Sequence, residues 1–414
     1  MSVAPRPHVW RSASVGDLVT IEHGYAFKSE FFSNAGTFAV TTPGNFYEAG
    51  GFRLTGDRQR YYTGEFVDRY RFNSGELIVA MTEQADGLLG SAALVPSSGT
   101  YLHNQRIGRI RAKTPEISLQ YLYFLFNTPI FRKSVSETAA GTKVRHTSPA
   151  KLAAIQIPVP PLSEQCRIVD CLVDMECNVA AVETLIAKKQ AIKQGIIQAL
   201  LTQKTRLRGF TSEWNRRSLR SILDTPVTDG PHSTPEFLEA GIPFLSVNNI
   251  VDGRIDFSDV RHVSRRDHEI FSRKCAPRRG DILLGKAASV GKVAIVETDL
   301  EFNIWSPLAM IRVGSGNVPK FVYYQLQGAS VVEQIVLLTN SSSQGNIGMS
   351  DIEKLELDLP SREEQLAISG LLSDLDEDVD VARSRLRKAK AVKEGMTQAL
   401  LSGLSRLPIA EASS

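Results

Sequence analysis

The chain has 414 residues, 42% hydrophobic and 22% charged, and its 48 Lys and Arg against 45 Asp and Glu leave a net charge of +3. At roughly 100–200 residues per domain this length predicts two to four domains. A mean hydropathy of −0.12, with no apolar run of the ~20 residues that a membrane span needs, excludes a membrane protein and a wholly disordered one.

The opening residues MSVAPRPHVWRSAS lack the apolar core of ~7–15 residues that a secretory signal carries, so a cytoplasmic location is expected. Residues 1–157 read as a first globular part of mixed α/β character. GELIVAMT, AALV and GRIRA are strand-like and SLQYLYFLFNTPIFRKSV is helical. Within this part, RQRYYTGEFVDRYRF (Arg58 to Phe72) interleaves four arginines with five aromatics. That pattern fits a strand pair with aromatics inside and arginines solvated, the alternative being a patch that meets phosphates.

Residues 158–205 carry a helical stripe that includes Ile168, Leu172, Met175 and Val179 and runs on through Ile186, Ile192 and Leu200, spaced mostly by threes and fours. A helix from about Glu164 to Leu201 follows, about 55 Å long at ~1.5 Å per residue. Ser163 is placed to cap it, and QKTRLRGFTSEWNRR after it reads as a linker. The four cysteines, Cys166, Cys171, Cys177 and Cys275, form no CxxC pair and stand near no histidine at ligand spacing, so buried or incidental thiols are expected rather than a metal site or a disulfide.

Residues 206–357 form a second mixed part, in which DILLGK, KVAIVE and LAMIRV are strand-like and KFVYYQLQGASVVEQIV is helical. Its segment Arg261 to Asp281 concentrates seven lysines and arginines. GKAASVGKV resembles a phosphate loop but has five residues where GxxxxGK has four, and Val293 where the hydroxyl should stand; it reads as a strand and turn. Residues 358–414 hold a second striped helix, with Ile368, Leu372, Leu375 and Val379 on its seam, Ser361 as cap and Gly403 as stop.

The chain contains itself twice. IQIPVPPLSEQ returns as LELDLPSREEQ and KQGIIQALLT as KEGMTQALLS, both at an offset of 200 residues and without a gap between them. Gly195 and Gly395 lie inside the helical pattern, as points of close approach or bending. In the globular parts the offset drifts from 201 to 205. Each long helix begins acidic and ends basic. Complementarity to its own dipole accounts for that, and so does antiparallel pairing of the two helices.

No catalytic constellation can be assembled. The seven histidines form no HxxxH or HExxH group and read as surface or capping residues, and no serine sits in GxSxG. No glycine-rich S-adenosylmethionine loop follows a first strand, and Pro158 to Pro161 lack the Asn or Asp that amino-methyltransferases place before Pro-Pro-aromatic. A binding role is expected.

Over nearly its whole length the chain resembles the specificity subunits of type I restriction–modification systems. The resemblance rests on the paired IPVPPLSEQ and LDLPSREEQ segments, on helix ends IIQALLTQKTRL and MTQALLSGLSRL, and on RGFTSEW, GYAFKS, DGPHSTPEF and GDILLGKAASVGKVAIV. It implies a mixed α/β (α+β) protein with a pseudo-twofold internal repeat, in which two target recognition domains alternate with two long helices packed as an antiparallel coiled coil. Each domain would read one half of a split DNA target and the helices would fix the spacer. Two modification subunits, carrying S-adenosylmethionine, and two restriction subunits would be its partners, with no cofactor on this chain. Candidate DNA contacts, chosen for polarity, loop placement or correspondence between copies, are Lys28, Ser29, Asn45, Lys143 and Arg145 in the first domain. In the second they are His232, Ser233, Asn248, Asn249, Arg266 and Lys286. A coiled-coil scaffold whose globular ends bind proteins is the alternative.

Overall fold

The computed structural model describes residues 10–407 apart from 84, 86, 97–99, 140, 142–144 and 341–344. Two compact units result: Met1–Val182 with Arg385–Ser414, and Glu183–Ser384.

The first unit is built on a four-stranded sheet of β1 (Val19–His23), β2 (Leu77–Ala80), β3 (Ala92–Leu94) and β4 (Ile107–Ala112), in the order β1-β4-β2-β3. The strand Leu77–Ala80 is buried at every position, as an uninterrupted apolar run in a central strand must be. Beside it, Phe38–Thr41 runs parallel to Tyr101–His103, and a ribbon pairs Arg11–Ser14 with Gln156–Val159. The second unit repeats this plan. Its sheet of β5 (Leu223–Asp229), β6 (Ile282–Gly285), β7 (Val293–Ile295) and β8 (Leu308–Val313) has the matching order β5-β8-β6-β7. Ile242–Leu245 runs parallel to Asn303–Ile304, and Asn215–Ser218 pairs with Glu356–Leu359. The strand-and-turn expected of GKAASVGKV is β6, its turn and β7.

The two helical stretches are each broken in two. Leu119–Phe126 and Pro129–Thr138 separate where Pro129 cannot continue the first helix and Thr128 caps the second, its Oγ1 accepting from the Phe131 amide at 3.3 Å. Pro319–Gln325 and Ala329–Asn340 separate at Gly328.

The long helices span Leu162–Leu201 and Arg362–Ser402. Ser361 caps the second, accepting from the Glu364 amide. In the first copy position 161 is proline, and Ser163 falls inside the first turn instead of capping it. In the first unit Ile168 and Leu172 are buried with Leu400 and Leu401, and Met175 and Met396 pack against them. In the second unit Ile368 and Leu372 join Ile197, Leu200 and Leu201, with Leu375 beside them and Val379 buried. Val179 is half-buried at a cleft lined by Lys390 and Thr397. Ile192 leaves the seam, 58% exposed. It lies six residues beyond Ile186, which turns it about 120° around the helix. Gly195 and Gly395 face open space, so close approach is not their role.

Ion pairs order the helix contacts within each unit. In the first, Glu164 meets Arg406 and Glu176 meets Lys393; in the second, Lys189 meets Asp378, Lys193 meets Asp376 and Arg206 meets Glu364. In both units one helix segment advances as the other recedes. The segment expected to be a linker is thereby docked, with Leu207 and Trp214 packed on the second unit's core. The SEQ and EEQ motifs acquire a structural reason. Gln165 accepts from the Ser118 amide and donates to Glu116 O and Pro160 O, and Gln365 accepts from the Val318 amide and donates to Asn317 Oδ1 and Pro360 O. Of the cysteines, Cys275 is buried and Cys171 half-buried, whereas Cys166 and Cys177 are exposed on a helix face outside the seam.

Candidate nucleic-acid interface

Corresponding loops meet in the same way in both copies. In the first unit the loop after β1 is clasped to the loop before β4: Tyr25 N donates to His103 O at 2.8 Å and Gln105 N to Tyr25 O at 3.1 Å. Gly24 must be glycine there, since a Cβ would lie 2.3 Å from the His103 carbonyl oxygen. In the second unit Ser306 N donates to Pro231 O, and a Cβ on Gly230 would lie 1.6 Å from Ile304 O. A further loop joins each cluster, through Thr147 N to Met81 O and Ile347 N to Lys286 O.

On this common frame the side chains differ. The first unit presents an aromatic cluster, with Tyr25 against Tyr70, Phe27 against Tyr62 and Phe38 against Phe66 at centroid distances of 5.1, 4.7 and 4.8 Å. Arg58, Arg60, Arg69 and Arg71 stand exposed around it, Arg69 over the Tyr70 ring. In place of a strand pair, this segment forms the short strand Tyr61–Tyr62 and two 3-10 turns. The turn Asp68–Tyr70 is held from beneath by Arg109, 3% exposed, which donates to Arg69 O and Arg71 O at 2.9 and 2.8 Å. Burial pulls the Arg109 pKa down, and Glu76 and Glu22 counter it.

Lys28 and Ser29 are exposed at the start of a 3-10 turn in the loop after β1. Asn45 is 1% exposed, its amide donating to Arg53 O and Gln59 Oε1 and its carbonyl accepting from Thr42 N. Asn249 repeats that arrangement, accepting from Ser246 N and donating to Asp256 O and Asp259 O, while Asn248 is exposed. Arg145 is half-buried and bonds Ser136 O at 2.6 Å. Lys143 lies outside the described residues. His103 departs from the surface role expected of the histidines: it is 1% exposed, with Nε2 2.8 Å from Ile107 O.

In the second unit His232 and Ser233 are exposed on the loop after β5, and Arg266 on the helix Arg265–Ser272. His232 and Lys286 converge, together with Lys274, on one fully buried carboxylate, Asp229. Burial alone would push the Asp229 carboxyl up, but the two lysines outweigh it and hold it below the usual carboxylate range. Sequence reasoning missed Asp229 as the centre of this group. Its signal was an acid closing a strand directly before Gly-Pro-His. Among the described residues no group of three His, Cys, Asp or Glu side chains could hold a metal ion, and no helix is long and apolar enough to cross a membrane.

A sheet-and-loop module present twice, with charged and aromatic loops on a corresponding clasp and a long helix after each copy, defines a two-part recognition protein. The family model for the type I restriction modification DNA specificity domain matches residues 7–194 and again 211–390, and the chain belongs to that family. It is 24% identical over 417 residues to the type I restriction enzyme EcoBI specificity subunit of Escherichia coli, covering 95% of this chain and 84% of that one. To the EcoKI specificity subunit of Escherichia coli strain K12 it is 22% identical over 419 residues, 97% and 89% of the two chains. A crystal structure of a type I restriction–modification S subunit from M. genitalium superposes with a TM-score of 0.56 at 13% identity, over 96% of this chain and 98% of that one. A chain from a study of complex assembly and conformational transition of the type I system gives 0.58 at 19%, over 96% and 99%.

Proposed function

We propose that this chain reads a split, asymmetric DNA target for a type I restriction–modification complex. It is the specificity subunit of such a system and is not itself catalytic. The observation that supports two half-sites is the loop clasp shared by both units with different side chains upon it: one geometry and two chemistries suit two unlike base sequences. In this reading residues 1–157 and 206–357 are the target recognition domains, and the helices of 158–205 and 358–414 pair as an antiparallel coiled coil that sets the spacer. The repeat offers equivalent faces to two modification subunits, which bring S-adenosylmethionine, and two restriction subunits complete the complex in the cytoplasm.

Lys28, Ser29, Lys143 and Arg145 in the first domain, and His232, Ser233, Asn248, Arg266 and Lys286 in the second, are the proposed contacts. Asn45 and Asn249 we assign to holding the loops, because their amides are consumed within the fold. The test is methylation sequencing of the host genome with and without the gene. Loss of methylation at one motif of two short half-sites around a fixed gap is the expected result. Unchanged methylation in cells that express an active modification subunit would overturn the proposal.

A further inference from the structure

Asp229 lies at the end of β5 with its side chain 0% exposed, and two lysines and a histidine close on it. Lys274 Nζ is 2.5 Å from Oδ1, Lys286 Nζ is 3.0 Å from Oδ2, and His232 Nε2 is 3.2 Å from Oδ2. Lys274 comes from the segment after the helix Arg265–Ser272, Lys286 from the turn after β6, and His232 from the loop after β5. One carboxylate thus gathers groups from three loops. The balance of charge is uneven, with two permanent positive charges against one negative. Asp281, the other carboxylate acting on the neighbouring Cys275, is taken by Arg312 at 2.6 Å and does not redress it. Each lysine ammonium carries three protons and gives one to the carboxylate, Lys274 to Oδ1 and Lys286 to Oδ2, so both keep donors for a second acceptor.

A surplus of cations around a buried anion is an arrangement for a further anion outside. Lys274 and His232 keep 51% and 69% of their side-chain surface in water, whereas Lys286 keeps 16%. Lys286 forms the floor and the other two the rim. Compact ammonium groups recognise an oxyanion as point charges and lack the rigid planar fork with which an arginine matches a guanine edge. We infer that Asp229 is a positioning residue that holds Lys274, Lys286 and His232 as a seat for one backbone phosphate of the DNA. This rests on the DNA-reading proposal above and adds that the seat fixes the second domain's register without reading sequence.

The experiment uses the complex with its modification subunits. Affinity is measured against salt for a duplex bearing the methylated motif and for a random-sequence duplex. Lys286→Ala is expected to weaken both about equally, about fivefold near 0.15 M salt, and to lower the slope of log K against log salt by about one. Asp229→Asn supplies the readout specific to positioning. It makes the chain more positive, so an electrostatic effect alone would tighten DNA binding, whereas loss of positioning weakens it. Lys274→Ala, which leaves Asp229 paired with Lys286, serves if Asp229→Asn fails to fold, and is expected to act as Lys286→Ala does. Wild-type binding with Lys286→Ala and Lys274→Ala unchanged, or weakened only on the motif duplex, would overturn the phosphate seat while leaving the DNA reading intact. Absence of salt-dependent binding by the wild-type complex would overturn both.

Discussion

Arg406 grips Glu164 across 242 residues of sequence, with Nε to Oε1 and Nη2 to Oε2 each 2.6 Å. The same pair recurs 200 positions along, where Arg206 meets Glu364 through Nε to Oε1 at 3.2 Å and Nη2 to Oε2 at 2.6 Å. In each case the arginine follows the end of one long helix and the glutamate begins the other. The carboxylates are 6% and 1% exposed in their side chains, so each depends on its arginine for charge compensation.

Arg206→Ala therefore leaves Glu364 buried and unpaired. We expect a loss of about 3 kcal/mol and a fall of about 6–12 °C in the melting temperature of the second unit. A fall under 2 °C by calorimetry would refute the dependence.

Gln203 holds φ at 59°, and Gly403, its counterpart, at 76°. Only glycine occupies that left-handed region without steric cost. Gln203→Gly is expected to raise stability by about 0.5–1 kcal/mol. Gly403→Ala should lower it, since its Cβ would also press on the Trp10 ring at 3.3 Å. Thermal melts of the two variants that moved in the same direction would contradict this.

Burial pushes the His103 ring down to about pKa 4, although its bond to Ile107 O favours the proton; Arg109 adds to the depression. The unfolded chain protonates this group near pH 6.5. Between those values the unfolded state holds a proton that the folded state lacks. Stability of the first unit should thus fall as pH drops from about 6.5 to about 4, by about 3 kcal/mol, and the loss should level off below. His103→Gln should remove that step from a series of urea midpoints; an unaltered profile would assign it elsewhere.

Arg109→Met removes the donors beneath the Asp68–Tyr70 turn and leaves Arg69 O and Arg71 O without their partner. The half-site read by the first domain should become degenerate or be lost, while the other half-site persists among the bases still methylated. Loss of both half-sites together in a folded variant would show that the turn does not read one half alone.

The long helices and the doubled architecture were legible because helix register tolerates no insertion, so a constant offset of 200 survives in the sequence. The strands were legible from apolar runs such as Leu77–Ala80. What escaped were contacts between residues far apart along the chain. Glu164 and Gln165 read as ordinary helix-start residues, and nothing near them announces Arg406 or Ser118. Asp229 lies 45 residues from Lys274, a pairing that no local pattern encodes. Asn45 and Asn249 show the converse difficulty: an amide in a polar loop reads as solvent-facing until its hydrogen bonds are counted. Ser163 misled because the two copies differ by a residue at the cap, Pro161 standing where the second copy has Ser361.

The first unit is assembled from two stretches, one ending at Val182 and the other beginning at Arg385. During synthesis the ribosome must add 401 − 182 = 219 residues after Val182 before Leu400 and Leu401 can both reach the core they complete, roughly 10–40 s at ~5–20 residues per second. The second unit has no such wait, since its residues are contiguous. The part made first is therefore the part finished last, and throughout that interval its half-closed apolar face is what chaperones and proteases meet.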